Sequence, residues 1–267
     1  MQLDSFEVVV VGAGFFGAVI AEQAASRLGR SVCVLDRRPH IGGNAYSEVD
    51  SDSGVEVHRY GTHIFHTNSE TVWRYMQRFT YFTDYRHRVF TVANGRVYSM
   101  PINLATVCAA FGRIMSPDEA RAVIAAEAAA HGAGGIGNLE DKAIASVGRT
   151  LYDLLIRGYT QKQWQTDPRE LSADIIGRLP VRFSFDDRYF ADRYEGMPVD
   201  GYTAIFQRML EHPKIAVELG VDYFDVAERI TPRQLVIYTG PIDRFFGYAC
   251  GHLGWRTVDF EIGRASC

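Results

Sequence analysis

Cysteine is scarce in this chain. Four occur among 267 residues, Cys33, Cys108, Cys250 and Cys267, and no two have the short spacing of a metal or redox motif. Free thiols in a reducing compartment are therefore expected, not a disulfide scaffold. An excess of basic charge is also missing: 28 Lys and Arg against 32 Asp and Glu leave a net charge of −4. That balance argues against binding nucleic acid or anionic membranes. No apolar run reaches the ~18 residues of a membrane span. No segment has the charged start, apolar core and cleavage site of a secretory leader, so a cytoplasmic location is expected. Internal repeats are absent, and the only biased stretch is an alanine-rich helix. With 47% hydrophobic and 22% charged residues, the chain reads as globular, forming one large or two modest domains.

What is present is concentrated in residues 6–44. Phe6-Glu7-Val8-Val9-Val10-Val11 is an apolar run of strand length. It enters Gly12-Ala13-Gly14-Phe15-Phe16-Gly17, spaced G-x-G-x-x-G, and then a helical pattern over residues 18–28. Residues 31–35 read as a second strand ending in Asp36, about twenty residues past Gly17. The first glycine permits a tight turn, the second lets a pyrophosphate approach the backbone, and the third packs helix on strand. The helix start offers free N–H groups and a positive dipole end to the phosphates. Asp36 is placed to accept hydrogen bonds from a ribose. Asp36 followed by Arg37-Arg38 leaves NAD, FAD and NADP open on this stretch alone. Ile41-Gly42-Gly43-Asn44 favours FAD, because two more glycines and an amide give an extended dinucleotide a second backbone contact. The bland alternative is an ordinary turn after the second strand.

Further along, residues 55–60 read as a strand, and Ser69 is placed to cap a helix carrying Val72, Trp73, Met76 and Phe79. Asn94-Gly95 between residues 88–92 and 96–100 is a hairpin signal. Ser116-Pro117-Asp118-Glu119 is a capping box. A glycine-rich linker at 132–137 precedes helices over 139–147 and 150–164. Residues 181–189 alternate aromatic and polar as a strand would. Residues 202–210 read as helix, 216–224 as a strand, and 235–238 as the strand returning to the nucleotide sheet. The expected fold is α/β: an FAD-binding, Rossmann-like, doubly wound sheet with an inserted helical segment and an additional antiparallel sheet. The segments expected are 1–100 (nucleotide-binding, with the hairpin), 101–178 (helical, substrate-binding), 179–233 (antiparallel sheet) and 234–267 (return to the first sheet).

Five motifs in one order carry a resemblance. Gly42-Gly43-Asn44-Ala45-Tyr46, residues 61–67 (G-T-H-I-F-H-T), 158–164 (G-Y-T-Q-K-Q-W), 179–190 (L-P-V-R-F-S-F-D-D-R-Y-F) and 237–243 (I-Y-T-G-P-I-D) resemble prokaryotic UDP-galactopyranose mutase. The resemblance runs from Phe6 to about Glu261. It implies an isomerase that interconverts UDP-galactopyranose and UDP-galactofuranose, active with reduced FAD. In that chemistry N5 of the reduced flavin attacks the anomeric carbon, displaces UDP, and forms an adduct whose sugar opens and recloses on another hydroxyl. Galactofuranose would serve a cell-wall or surface polysaccharide, and the resemblance leaves a homodimer open.

By that resemblance Gly12, Gly14, Phe16, Gly17, Asp36, Arg37, Gly43, Asn44, Thr239 and Gly240 would hold FAD. His63 and Ile64 would lie beside the flavin ring, with His63 as a catalytic contact. A lone histidine is commonly a hydrogen-bonded structural residue, and His63 rather than His66 carries the flavin-site expectation. No Cys or carboxylate stands at ligand spacing around them, so no metal site is expected. Tyr159, Thr160 and Trp164 would receive UDP, beside a wall that is aliphatic at Leu155 and Ile156. Aromatic residues on a helix are usually core, but Gln161, Lys162, Gln163 and Gln165 give these rings polar company. Arg178 suits a diphosphate through its bidentate fork, and His87, Tyr189 and Phe190 complete the expected substrate set. Asp186 and Asp187 are adjacent, so in a strand they point to opposite faces and form no paired acid–base site.

The family pattern continues past this chain with another arginine, further tyrosines and a G-G-R segment. The chain is therefore expected to be truncated, frameshifted or a fragment, poorly soluble, weak in FAD retention and without mutase activity. Two other readings are an FAD oxidoreductase of amine-oxidase type with true redox turnover, and a non-catalytic remnant.

Overall fold

The computed structural model describes residues 3–131, 135–176, 181–231 and 233–254. Residues 132–134 of the glycine linker, Arg178, Leu179, Pro180 and the tail with Cys267 lie outside them. The chain forms two compact units, Met1–Tyr85 with Asp192–Cys267, and Arg86–Ala191.

The first unit is built on four parallel strands. Val8–Val11 (β1) is all valine, the β-branched composition of a strand covered on both faces. Val32–Asp36 (β2) is buried throughout. Ile215–Leu219 (β3) and Leu235–Tyr238 (β4) join them in the order β4-β1-β2-β3, all parallel. The period-two alternation of a strand divides its side chains between two cores. Val8, Val10, Val32 and Val34 pack with Phe15–Ser26 (α1) and with Ile205, Phe206 and Met209 of Gly201–Leu210 (α2). Val9, Cys33 and Leu35 face Leu3, Val221, Val226 and Ile230 on the other side. Burial, with the Glu218 charge, pushes the Cys33 thiol up to about 12, so it remains a protonated core residue. Cys33, Cys108 and Cys250 are all free.

Glu22 of α1 is a charge placed inside this unit, only 5% exposed. It accepts from Tyr75 Oη at 2.7 Å, Ser26 Oγ at 3.0 Å, the Arg78 guanidinium at 2.9 Å and the Gln23 amide. Burial works to raise its carboxyl. The hydrogen bonds from Tyr75, Gln23 and Ser26 and the Arg78 charge outweigh it and hold the pKa below the ordinary value. A depressed folded-state pKa gives stability that is present above the unfolded carboxylate value, ~4.3, and is lost as pH falls through the folded value. Glu22→Gln is expected to cost about 2 kcal/mol at pH 7 and to flatten the acid limb of the stability curve. Urea melts between pH 3 and pH 7 check this, and an unchanged acid limb would contradict it.

Two expectations are corrected here. Residues 216–224 do not belong to an antiparallel sheet: the strand is Ile215–Leu219, parallel to β2 with Val32 beside Ile215. Gly220, at φ +71°, turns the chain out of the sheet, and Asp222 caps the single helical turn Tyr223–Val226. Residues 181–189 form no continuous strand either, only isolated bridges at Asn103–Arg182 and Arg88–Arg188. Asp186 Oδ1 accepts from the Arg188 N–H at 3.2 Å and from its Nε at 2.9 Å, a local bond that competes with strand pairing. Among the described residues the antiparallel pairs are short ribbons: Ser47–Val49 with Glu56–His58, Phe65–Thr67 with Tyr194–Gly196, and Val89–Ala93 with Arg96–Met100.

The last ribbon belongs to the second unit rather than the nucleotide-binding segment. Its turn puts Asn94 and Gly95 at φ +49° and +70°, as a type I′ hairpin requires. Leu104–Phe111, Pro117–Ala130 and Leu139–Val147 are capped by Asn103, Ser116 and Asn138, each accepting a backbone N–H three residues on. The capping box at Ser116 and Glu119 is present in both directions. The helix expected over 150–164 is interrupted: Arg149–Leu151 is α, Tyr152–Ile156 is a π turn, and Arg157–Trp164 is α again. Ile144, Val147, Leu151 and Tyr152 are fully buried in this unit's core.

Candidate functional site

Each unit has its own cleft. In the first, about 470 Å³ opens at the carboxyl ends of β1, β2 and β4, where open parallel sheets bind ligands. Gly12, Gly14, Asp36, Arg37, Gly43, Asn44, Thr239 and Gly240 all line it. Gly12 sits at φ +107°, and a Cβ there would stand 2.1 Å from Thr239 Oγ1. Thr239 is held in place by its N–H and hydroxyl, both donating to the Val11 carbonyl at 3.0 and 2.7 Å. Gly17 lies beneath the turn, where a Cβ would fall 1.9 Å from the Gly12 carbonyl oxygen. Gly14 and Gly43 meet backbone to backbone. Asp36 is 9% exposed and accepts the Ala13 N–H at Oδ2 and the Arg38 N–H at Oδ1, both at 2.8 Å. It thus ties the glycine turn to the end of β2. Arg38 donates to Asn44 Oδ1 at 2.9 Å and covers the Tyr60 ring at 4.4 Å.

Sequence reasoning missed the wall opposite. Asp222, Tyr223, Phe224, Tyr238 and Arg244 line the same cleft. Arg244 pairs with Asp222 at 2.9 Å and lies over the Phe224 ring at 4.6 Å. Burial opposes the Asp222 carboxylate, but the Phe224 N–H and Arg244 hold its pKa below the ordinary range. The usable signal was Arg244, immediately after the Thr239–Asp243 motif.

Phe16, His63 and Ile64 fall outside this cleft's lining. Phe16 is 66% exposed on the outer surface of α1 beside Val19 and Ile20, because the first helical turn points it away from the sheet. His63 Nδ1 donates to the Gly61 carbonyl at 2.8 Å, and its backbone N–H donates to His58 Nδ1 at 3.1 Å. Its ring meets Tyr202 edge-on at 6.2 Å. Burial, then the His63 charge, lowers the His58 pKa. His66 Nδ1 bonds Asp192 Oδ2 at 2.8 Å.

The second cleft, about 460 Å³, lies within the helical unit. Tyr159, Thr160 and Trp164 line it together with Gln163, Leu155 and Ile156. They form three adjacent pairs repeated every four residues, about one turn apart along the helix. Thr160 is buried, while the Tyr159 ring is 68% exposed. Tyr189 also lines the cleft. His87 and Phe190 pack against Tyr189, with ring centroids 5.4 and 4.9 Å from it. The Tyr189 N–H donates to the His87 carbonyl at 2.7 Å. Arg182 donates to the carbonyls of Arg188 and Tyr189 and fixes this loop. Among the described residues no group of three His, Cys, Asp or Glu is arranged to hold a metal. None of the described helices is long and apolar enough to cross a membrane.

A parallel sheet with a glycine turn and a terminal acid defines a Rossmann-like nucleotide-binding α/β protein, here with a separate helical unit. Comparison with known proteins agrees. A family model described as an NAD(P)-binding Rossmann-like domain matches residues 10–79, and one described as UDP-galactopyranose mutase matches residues 154–266. The chain is 43% identical over 262 residues to a probable UDP-galactopyranose mutase of Klebsiella pneumoniae, covering 97% of this chain and 66% of that protein. It is 42% identical over 262 residues to a dTDP-fucopyranose mutase of Escherichia coli, covering 96% and 68%. A UDP-galactopyranose mutase of Mycoplasma genitalium is 30% identical over 282 residues, with 99% and 68% covered. A crystal structure of reduced UDP-galactopyranose mutase shares the fold at TM-score 0.60 and 18% identity, over 80% of this chain and 48% of that one. The chain belongs to the UDP-galactopyranose mutase family. It spans about two thirds of the length of these curated relatives.

Proposed function

We propose that this chain carries the FAD-binding and nucleotide-binding parts of a sugar-nucleotide mutase that interconverts UDP-galactopyranose and UDP-galactofuranose. The observation that carries this reading is the second cleft, where exposed Tyr159 and half-buried Trp164 stand on one helix with Thr160 and Gln163. Planar rings beside hydroxyl and amide groups suit a nucleobase, which offers a stacking face and polar edges.

The first cleft fits FAD. Bare backbone at Gly12, Gly14 and Gly43 lines it, and a side chain at Gly12 has no room. The N–H groups at the start of α1 would hold the pyrophosphate, Asp36 the ribose, and Asn44, Thr239 and Gly240 the neighbouring polar atoms. When bound, reduced flavin supplies a nucleophile for the anomeric carbon, with no net transfer of electrons. The chain's own tasks are to stack the base on Tyr159 and Trp164, bond its polar edge through Thr160 and Gln163, and pair the diphosphate with Arg178. His63, with Nδ1 spent on Gly61, keeps Nε2 as its free ring nitrogen. Tyr189, with His87 and Phe190 behind it, closes the cleft wall. A cytoplasmic enzyme supplying galactofuranose for a surface polysaccharide, acting as a homodimer, completes the reading. The dTDP-fucopyranose mutase relative, at 42% identity, supports a second reading with the same chemistry on a thymidine-linked 6-deoxysugar.

Trp164→Ala is expected to weaken UDP binding by about 1–3 kcal/mol, the range for lost base–aromatic stacking. Flavin content should hold, since the two clefts belong to different units. Calorimetric titration with UDP and the flavin absorbance check this. A variant that loses flavin but keeps UDP affinity would place Trp164 in a structural role. Conversion of UDP-galactofuranose to UDP-galactopyranose under dithionite, followed by chromatography, tests the activity itself.

A further inference from the structure

We propose that the cleft of the helical unit houses a methyl group at C5 of the pyrimidine, so that thymidine diphosphate binds more tightly than its uracil counterpart. This rests on the reading of that cleft as the nucleotide pocket. Leu155 and Ile156 both line it, three to five residues before Tyr159 and Thr160. They therefore stand one turn away on the same face, about 5 Å along the helix and close to the width of a pyrimidine ring. Met100, Leu139, Ile175 and Ile176 extend this aliphatic wall.

The polar groups of the cleft are few, chiefly Thr91, Thr160 and Gln163. A pyrimidine stacked on Tyr159 or Trp164 offers one edge of amide and carbonyl groups and another of C5 and C6. The polar edge takes the hydroxyl and amide partners, and the C5 edge meets aliphatic carbon. Uracil presents only a C–H there, whereas thymine presents a methyl. The wall has apolar area to cover: Ile175 is 40% exposed and Phe90, at the same cleft, 60%. Burying one methyl against it is expected to tighten binding about fourfold. The same argument gives no preference between ribose and deoxyribose, so the comparison must hold the sugar constant.

Calorimetric titration of the full chain with UDP, dUDP and dTDP separates these effects. The expected result is dTDP binding about fourfold more tightly than dUDP. Equal or weaker binding of dTDP, while UDP binds, overturns the inference and leaves the nucleotide pocket standing. Failure of all three to bind overturns the pocket reading and the inference with it. Leu155→Phe, whose ring would fill the space beside Tyr159, is expected to bring the dTDP-to-dUDP ratio to about one or below. A folded Leu155→Phe protein, verified by circular dichroism, that keeps the wild-type ratio would also overturn it.

Discussion

Gly17→Ala is expected to destabilise the nucleotide-binding unit strongly, while Gly14→Val leaves it stable and unable to hold FAD. The two glycines belong to one motif but face different neighbours. A Cβ on Gly17 would stand 1.9 Å from the carbonyl oxygen of Gly12 and 3.0 Å from its carbon. Both are backbone atoms, so relief requires α1 to lift from the sheet. Ala18 and Ala21 of α1 are fully buried in the core that also contains Val10, and lifting the helix would open that packing. The cost should be about 3 kcal/mol or more, near the top of the range for overpacking, which lowers the melting temperature by roughly 10 °C. At Gly14 the nearest atom to a new Cβ is Gly43 Cα, at 3.7 Å, an ordinary contact. Its φ of −80° is open to any residue. The added methyls project at the start of α1, where a pyrophosphate would approach the free N–H groups. FAD affinity should fall by about a hundredfold or more, worth ~3 kcal/mol, with the melting temperature of the cofactor-free protein little changed. Normal flavin content in Gly14→Val would remove the helix start from the cofactor site.

The glycine turn and the caps were legible because their causes are local. Four valines, three spaced glycines and an acid at the end of β2 need no distant partner to be recognised. Asn94-Gly95 and the Ser116 box are equally local. Ile215–Leu219 was misread because its partner, β2, lies far back in the sequence; an apolar strand does not announce whether its neighbour runs parallel. Residues 181–189 alternate as a strand does, yet the Asp186–Arg188 bonds settle a local geometry that alternation does not encode. The π turn at Tyr152–Ile156 is invisible in a helical pattern, since one extra residue in a turn leaves composition unchanged. Most of the expected cofactor residues meet in one cleft, but Phe16 does not. A motif fixes the backbone path at that position and leaves the side-chain direction to the helix. The wall formed by Asp222, Phe224 and Arg244 arises where a loop after β3 meets the chain after β4, and no short motif spans that distance.

Asp36→Ala is expected to weaken FAD binding about ten- to a hundredfold and to lower stability as well. A ribose contact would alone account for the affinity, since a hydrogen bond to a carboxylate contributes about 1.5–3 kcal/mol. The stability loss has a separate cause. Oδ2 of Asp36 accepts the N–H of Ala13 and Oδ1 that of Arg38, each at 2.8 Å. Ala13 is fully buried, so truncation leaves its N–H without an acceptor, at a cost of about 1–3 kcal/mol. The glycine turn then loses its tie to β2, and the free N–H groups of α1 are held less firmly for the pyrophosphate. Asp36→Asn separates the contributions. Its amide keeps one oxygen and turns a donor toward one of the two N–H groups, so a single backbone bond is lost and the ribose still meets a hydrogen-bonding side chain. Stability should fall between the wild type and Asp36→Ala, and FAD affinity should follow the same order. Flavin-fluorescence titrations at low temperature, where both variants are folded, give the affinities, and thermal melts without FAD give the stabilities. If Asp36→Ala melts early yet binds FAD as tightly as the wild type, the carboxylate holds the turn and does not touch the ribose.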